Sequence, residues 1–337
     1  MTAALSGLGT PRVPASPRSL DGRSEQYEGT GPVGAVDGRI RASVATAVAA
    51  TMGTLAFRRL AARLPETTRA TWERTNHAGR SVTLLQGPVW VAAAATGLAL
   101  GSVMNRRPGG RLGPSLLVVL ASGGLGALDD LAGSGSSKGL KGHLGALRRG
   151  ELTTGAVKVV GLAATGMTGA LLADRSARSD RLADRGPLPV RGRVAAHRRA
   201  QDRGPLAAVV GGAVIAGAAN VANLFDLRPG RALKVVVLCG GPLALAGSRP
   251  AAAALGASAG VLRDDLAGRS MLGDTGANAA GALIGLALVE ATGLRGRVVA
   301  LAALTALTLA SEKVSFSKVI DAHGTLRRLD EWGRSGS

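Results

Sequence analysis

Three clusters of polar side chains in this 337-residue chain have the types and spacing of a site for phosphate and a divalent cation. Asn220, Asn223 and Asp226 stand at i, i+3 and i+6 at the end of an apolar run. At about 100° per residue they keep to roughly one face of a helix. Asp129 and Asp130 close another apolar run, and Asp274 lies in the Gly-Asp-Thr-Gly stretch Gly273 to Gly276. Carboxylate and amide oxygens suit a hard cation: magnesium is held by only about one or two carboxylates and shares its other positions with water and substrate phosphates. Lys138, Lys141, Lys158, Arg228 and Arg231 could neutralise phosphate oxygens, Arg through a bidentate fork. Together these are the parts of phosphoryl transfer, in which positioning and charge stabilisation carry most of the catalysis.

Each part alone has a plainer reading. An Asn in an apolar helix can hydrogen-bond a neighbouring helix. An Asp-Asp pair at a helix end is ordinarily solvated, and Gly-Asp-Thr-Gly can be a turn that caps the next helix. Asp264-Asp265 reads as a solvated pair, and His323 is a lone histidine. Convergence of several such groups on one face is what favours a site.

The elements that must position them are apolar runs of about 15 to 22 residues, close to the roughly 20 residues that a helix needs to cross a bilayer. Nine helices are predicted, over about Ile40–Phe57, Val82–Met104, Leu112–Leu131, Thr154–Ala173, Leu206–Asp226, Leu233–Gly247, Pro250–Leu262, Ala279–Thr292 and Val298–Leu309. The abundant Gly and Ala fit this, because in lipid close backbone approach replaces the hydrophobic effect as the packing force. The predicted fold class is therefore all-α, a polytopic membrane helical bundle of about nine to ten transmembrane helices. Residues 1–39, rich in Gly, Pro, Ser and charge, read as a disordered N-terminal tail, 40–316 as the transmembrane catalytic domain, and 317–337 as a polar C-terminal tail. Residues 174–204, with nine Arg against four Asp and no apolar period, read as a solvated loop insertion.

Alternating crossings bring the ends of helices one, three, five, seven and nine to one side, so that Asp129, Asp130, Asn220, Asn223, Asp226, Asp274 and His323 share a face. The positive-inside rule barely orients the chain, since Lys and Arg divide 20 to 20 between the sides. Without the nine Arg of the insertion the balance is 20 to 11, which puts the polar clusters in the cytoplasm. The net charge of +19 does not indicate nucleic acid, because the Arg residues are scattered between apolar runs with no aromatic platform beside them. A membrane surface or a phosphate-bearing substrate accounts for it better. Cys239, the single cysteine, rules out an internal disulfide and is expected to be buried and inert.

The order of motifs resembles the polyprenyl-phosphate sugar-1-phosphate transferases, among them phospho-N-acetylmuramoyl-pentapeptide transferase and undecaprenyl-phosphate N-acetylglucosamine-1-phosphate transferase. The resemblance spans roughly residues 72 to 320. It is carried by GALDD at 126–130, NVANLFD at 220–226 and MLGDTGAN at 271–278. It implies an integral enzyme of the cell membrane, multi-pass, with its active site on the cytoplasmic face. Such an enzyme moves a sugar 1-phosphate, of N-acetylhexosamine type, from a UDP-sugar to undecaprenyl or decaprenyl phosphate and releases UMP, in cell-wall (peptidoglycan) or other glycopolymer biosynthesis. Magnesium is the implied cofactor, with manganese as a substitute. By the same resemblance Asp129 and Asp130 are the acidic pair that engages or deprotonates the lipid phosphate. Asn220, Asn223 and Asp226 line the nucleotide and metal site, Asp274 binds metal, and Lys158 faces phosphate.

The chain departs from that pattern where Leu227-Arg228-Pro229-Gly230 follows Asp226. The cell-wall members usually continue Gly-Leu-Asp-Gly there, and the family's late histidine cluster is reduced to His323. These departures fit a divergent member acting in a secondary pathway. They equally fit a catalytically weak or inactive relative that keeps the lipid groove as a polyprenyl-phosphate-binding scaffold. A cation or solute transporter is a third reading, against which the polar groups lie at helix ends and not at mid-depth. The expected partners are a UDP-sugar, polyprenyl phosphate and the lipid bilayer, with a homodimer compatible and no nucleic acid.

Overall fold

One helix, Gly273–Ala291, is enclosed by the rest of the chain, and almost every residue from Thr275 to Val289 is buried. The computed structural model describes residues 32–75, 79–104, 112–132, 154–183 and 204–334. In chain order the helices are α1 (Pro32–Ala61), α2 (Glu66–Ala70), α3 (Gln86–Met104), α4 (Leu112–Ala132), α5 (Thr154–Ala183), α6 (Pro205–Phe225), α7 (Arg231–Leu245), α8 (Arg249–Leu266), α9 (Gly273–Ala291), α10 (Leu294–Lys313), α11 (Phe316–Ala322) and α12 (Gly324–Glu331). Between α2 and α3 lies a small antiparallel hairpin, β1 (Glu73–Thr75) with β2 (Ser81–Thr83), paired Glu73 to Thr83 and Thr75 to Ser81.

The central helix packs against α3, α4, α5, α6, α7 and α8. Its Ala- and Gly-rich sequence permits this: a Cβ at Gly281 would run into the Ala218 carbonyl of α6, so glycine there sets the helix spacing. Large aliphatic side chains face outward instead, including Val44, Val48 and Met52 on α1 and Val298 and Val299 on α10. That inside-out pattern belongs to a protein whose surroundings are lipid. Among the described residues six helices are long and apolar enough to cross a bilayer, over Gly38–Ala61, Gln86–Met104, Leu112–Ala132, Thr154–Ser179, Pro205–Phe225 and Leu294–Lys313. The chain is an all-α, multi-pass membrane protein.

Several expectations are corrected. The first helix begins at Pro32, inside the stretch read as a disordered tail, while residues 1–31 lie outside the described residues. The fourth predicted helix does not stop at Ala173, because α5 runs on to Ala183. Asp174, taken as the start of a solvated insertion, is 3% exposed, and its carboxylate takes two hydrogen bonds from the buried Arg297 at 2.7 and 2.8 Å. That pair ties α5 to α10 and makes further helix there favourable; residues 184–203 lie outside the described residues. The polar C-terminal stretch folds as α11 and α12. Cys239, expected to be buried, is exposed on α7.

Candidate functional site

Four helix termini meet at one end of the bundle: the ends of α4 and α6 and the starts of α5 and α9. Helix α4 approaches α9 closely because residue 126 is glycine, where a side-chain Cβ would collide with the Asp274 carbonyl. Asp129 and Asp130, one turn further along α4, are then placed differently. Asp130 Oδ1 accepts from the Asp274 N–H at 3.0 Å, and its Oδ2 accepts from the Thr275 N–H at 2.9 Å and the Thr275 hydroxyl at 2.6 Å. A carboxylate from α4 therefore caps α9, satisfying N–H groups that a helix start leaves unpaired. This cap explains why α9 begins at Gly273 and not at Ala279, and why Asp274 sits in a first helical turn instead of a loop.

Asp129 points to Lys158 of α5, whose ammonium donates to Asp129 Oδ2 at 2.7 Å and also to Asp274 Oδ2. The three side chains are 17%, 18% and 21% exposed, so the cluster is open enough to meet a ligand. The chain leaves α6 at Asp226, with φ −80° and ψ 32°, and turns through Arg228-Pro229 to Gly230 at φ +76°, a left-handed conformation that glycine adopts without strain. Asp226 is 7% exposed, and its Oδ2 has no hydrogen-bond partner. Burial, followed by repulsion from Asp265, raises Asp226 well above the usual carboxylate range, against a hydrogen bond from the Gly273 N–H that lowers it.

Asp265, expected to be solvated, is 2% exposed. It accepts from the Gly230 N–H at 2.5 Å and from the Gln86 side chain, and Ser270 donates to the other end of Gln86. It thereby holds the loop that carries Asp226. Helical spacing is the signal for it: Asp265 continues the buried stripe Ala254, Ser258 and Val261, whereas Asp264 falls off that stripe and pairs with Arg58 and Arg269. Arg74 of the hairpin, also unforeseen, donates to the Asp130 carbonyl.

Other predicted residues stand apart. Asn220 donates to Thr308 of α10 at 3.3 Å, which is the interhelical hydrogen bond of the plainer reading. Asn223 is half-buried on the same helix, and its backbone carbonyl accepts from the Asp226 N–H at 3.1 Å. Arg228 pairs with Asp321 at 3.1 Å, and His323 is exposed, its Nδ1 against the Val319 carbonyl at 2.8 Å. Lys138 and Lys141 lie outside the described residues. The chain matches no protein-family model and no curated protein.

What the site offers is a surplus of acceptor oxygen. Lys158 pairs with Asp129 and Asp274, whereas the charges that bear most on Asp226 are the carboxylates Asp265, Asp274 and Asp130, and one buried oxygen of Asp226 lacks a donor. Among the described residues no three acidic, His or Cys side chains are gathered in ligand geometry. The orphaned oxygen and the all-oxygen donor set fit a hard cation completed by water and phosphate, which needs only about one or two carboxylates from the protein.

Proposed function

We propose that the protein transfers a sugar 1-phosphate from a UDP-sugar to polyprenyl phosphate and releases UMP, on the cytoplasmic face of the cell membrane. The observation that carries this reading is the meeting of Asp129, Lys158, Asp226 and Asp274 from four helix termini at one partly open end of a lipid-embedded bundle. Asp226 and Asp274 would hold magnesium, which supplies Lewis-acid polarisation of the diphosphate when bound.

The protein's own groups do the rest. A phosphate oxygen of the lipid forms a bond to the β-phosphorus of the UDP-sugar. The bond from that phosphorus to the bridging oxygen breaks, and UMP departs with the electron pair. Asp129 orients the attacking phosphate or takes its proton, and Lys158 offsets charge on the transferring group. Asp130 fixes the start of α9 so that Asp274 is held in place. Arg228, two residues from Asp226, is available to a head group once its exposed pair with Asp321 opens.

A second reading is favoured by Lys158 itself, which fills the space between Asp129 and Asp274. In that reading the protein binds polyprenyl phosphate without turning it over. The purified chain in detergent, supplied with magnesium, undecaprenyl or decaprenyl phosphate and a panel of UDP-sugars, separates the two. UMP release that needs the lipid and falls with Asp129→Asn supports the transferase. Lipid binding that leaves every UDP-sugar intact and ignores Asp129→Asn supports the scaffold and overturns the transferase.

A further inference from the structure

Helix α12 carries two faces with different destinations. Asp330 is 6% exposed and turned inward, where it accepts from Arg231 at 2.8 and 2.9 Å and from Arg334 at 2.7 Å. Lys234 of α7 donates to the Leu329 carbonyl at 3.0 Å and to the Asp330 carbonyl at 2.5 Å. The helix is thus fastened to the start of α7, and Phe316 of α11 stacks on Phe225 at the end of α6 with ring centroids 5.1 Å apart.

The rest of the helix is bare. Leu326, Leu329 and Trp332 follow at i, i+3 and i+6 and are 43%, 46% and 74% exposed. Arg327 and Arg328 are exposed and make no side-chain hydrogen bond or ion pair among the described residues. Glu331 is exposed at the helix end, while Asp321 and Asp330, the other acids of this segment, are engaged by Arg228, Arg231 and Arg334. The helix is fastened to α7 beside apolar surface, because Val237 and Leu238, one turn along α7 from Lys234, are 45% and 59% exposed.

We infer that α12 is an interfacial foot. Leu326, Leu329 and Trp332 insert into the headgroup boundary of the membrane that the bundle spans, and Arg327 and Arg328 contact anionic lipid headgroups. Three properties select a lipid surface as occupant. The aliphatic and Trp stripe flanked by Arg is the pattern of a helix lying in a membrane interface. Trp is favoured at the headgroup level. The unspent charge on this helix is positive, matching an anionic leaflet. Arg334, which pairs with Asp330, also donates to the Pro229 carbonyl at 3.1 Å, so the segment touches the loop after Asp226; the inference itself rests on this surface and is independent of the chemistry proposed above.

The test uses the full chain in nanodiscs of phosphatidylcholine or of phosphatidylcholine with phosphatidylglycerol, each with and without lipids brominated near the headgroup. The Trp332 signal is the difference between the native chain and Trp332→Phe, which leaves Trp72 and Trp90 in place. The expected result is bromine quenching of the Trp332 signal, stronger with phosphatidylglycerol. Each of Arg327→Gln and Arg328→Gln should lower the docked-to-free ratio about fivefold in the anionic discs. A Trp332 signal that bromine does not touch in either lipid overturns the inference. So does shielding of Trp332 that grows with the number of chains per disc, which would make a second copy the occupant.

Discussion

The two ends of the bundle treat buried charge in opposite ways. At one end Arg297 is wholly buried, and its two terminal nitrogens serve Asp174 Oδ1 and Oδ2 and the carbonyls of Ala207 and Val289, all at 2.7 to 2.9 Å. One cation meets one anion and neither reaches solvent, with the Arg297 Nε alone left without a partner. At the other end Asp129 and Asp274 share one Lys158, Asp226 is buried beside Asp265, Asp274 and Asp130 with one oxygen left without a donor, and part of the cluster stays open. The first arrangement is a staple that links α5, α6, α9 and α10. The second leaves its charge balance to be completed by something that binds. Buried charge alone does not mark a site, but unbalanced buried charge beside an opening does.

The comparison can be broken by substitutions that move fold and chemistry apart. Lys158→Met should lower UMP release about 100- to 1,000-fold, the scale of losing one preorganised charge-stabilising donor. Its unfolding midpoint in mixed micelles should hardly move, and a matching loss of folded protein would make Lys158 a staple as well. Arg297→Leu should do the reverse. Stranding Asp174 costs about 3–5 kcal/mol of stability in a denaturant titration, while turnover per folded molecule is kept. Adding Asp174→Leu to that variant should restore most of the loss.

The C-terminal clasp gives a smaller, pH-dependent effect. Burial works against the charged form of Asp330, but Arg231 and Arg334 outweigh it and hold the carboxyl below its usual value. A depressed carboxyl stabilises the fold above its unfolded value of about 3.9 and loses that contribution as pH falls through the folded value. Limited proteolysis should therefore spare α12 at pH 5 and 7 and cut near it increasingly as pH is lowered below about 3.9, with Asp330→Asn cut throughout. Smallest of all, Arg228→Ala should cost less than about 1 kcal/mol, because both partners of its ion pair are about two-fifths exposed.

The meeting of several of the candidate side chains was legible in the linear chain, and the reason is local. Asp129, Asp226 and Asp274 each end or begin an apolar run, and alternating crossings are enough to bring such ends together. Two contacts agree with the alternation: Arg58 at the end of α1 meets Asp264 at the end of α8, and Arg249 at the start of α8 reaches Ser102 at the end of α3. What stayed hidden depends on partners distant in sequence. Asp174 and Arg297 are 123 residues apart, and nothing near either shows that burial with the other turns an Arg-rich stretch into more helix. The start of α9 was misplaced for the same reason, since the cap for its N–H groups comes from Asp130, 144 residues away. Asp265 was within reach of periodicity, yet its neighbour Asp264 made the pair read as solvated. Asn220 went the other way: a helical face of amides looked like a ligand surface, and Thr308 turned out to be its partner.

The most direct test of the central claim is UMP release by the native chain and by Asp274→Asn, purified in parallel and supplied with magnesium, a UDP-sugar and polyprenyl phosphate. The account predicts magnesium-dependent release by the native chain and its loss in Asp274→Asn, at an unfolding midpoint that does not fall. Equal release by both proteins would contradict it.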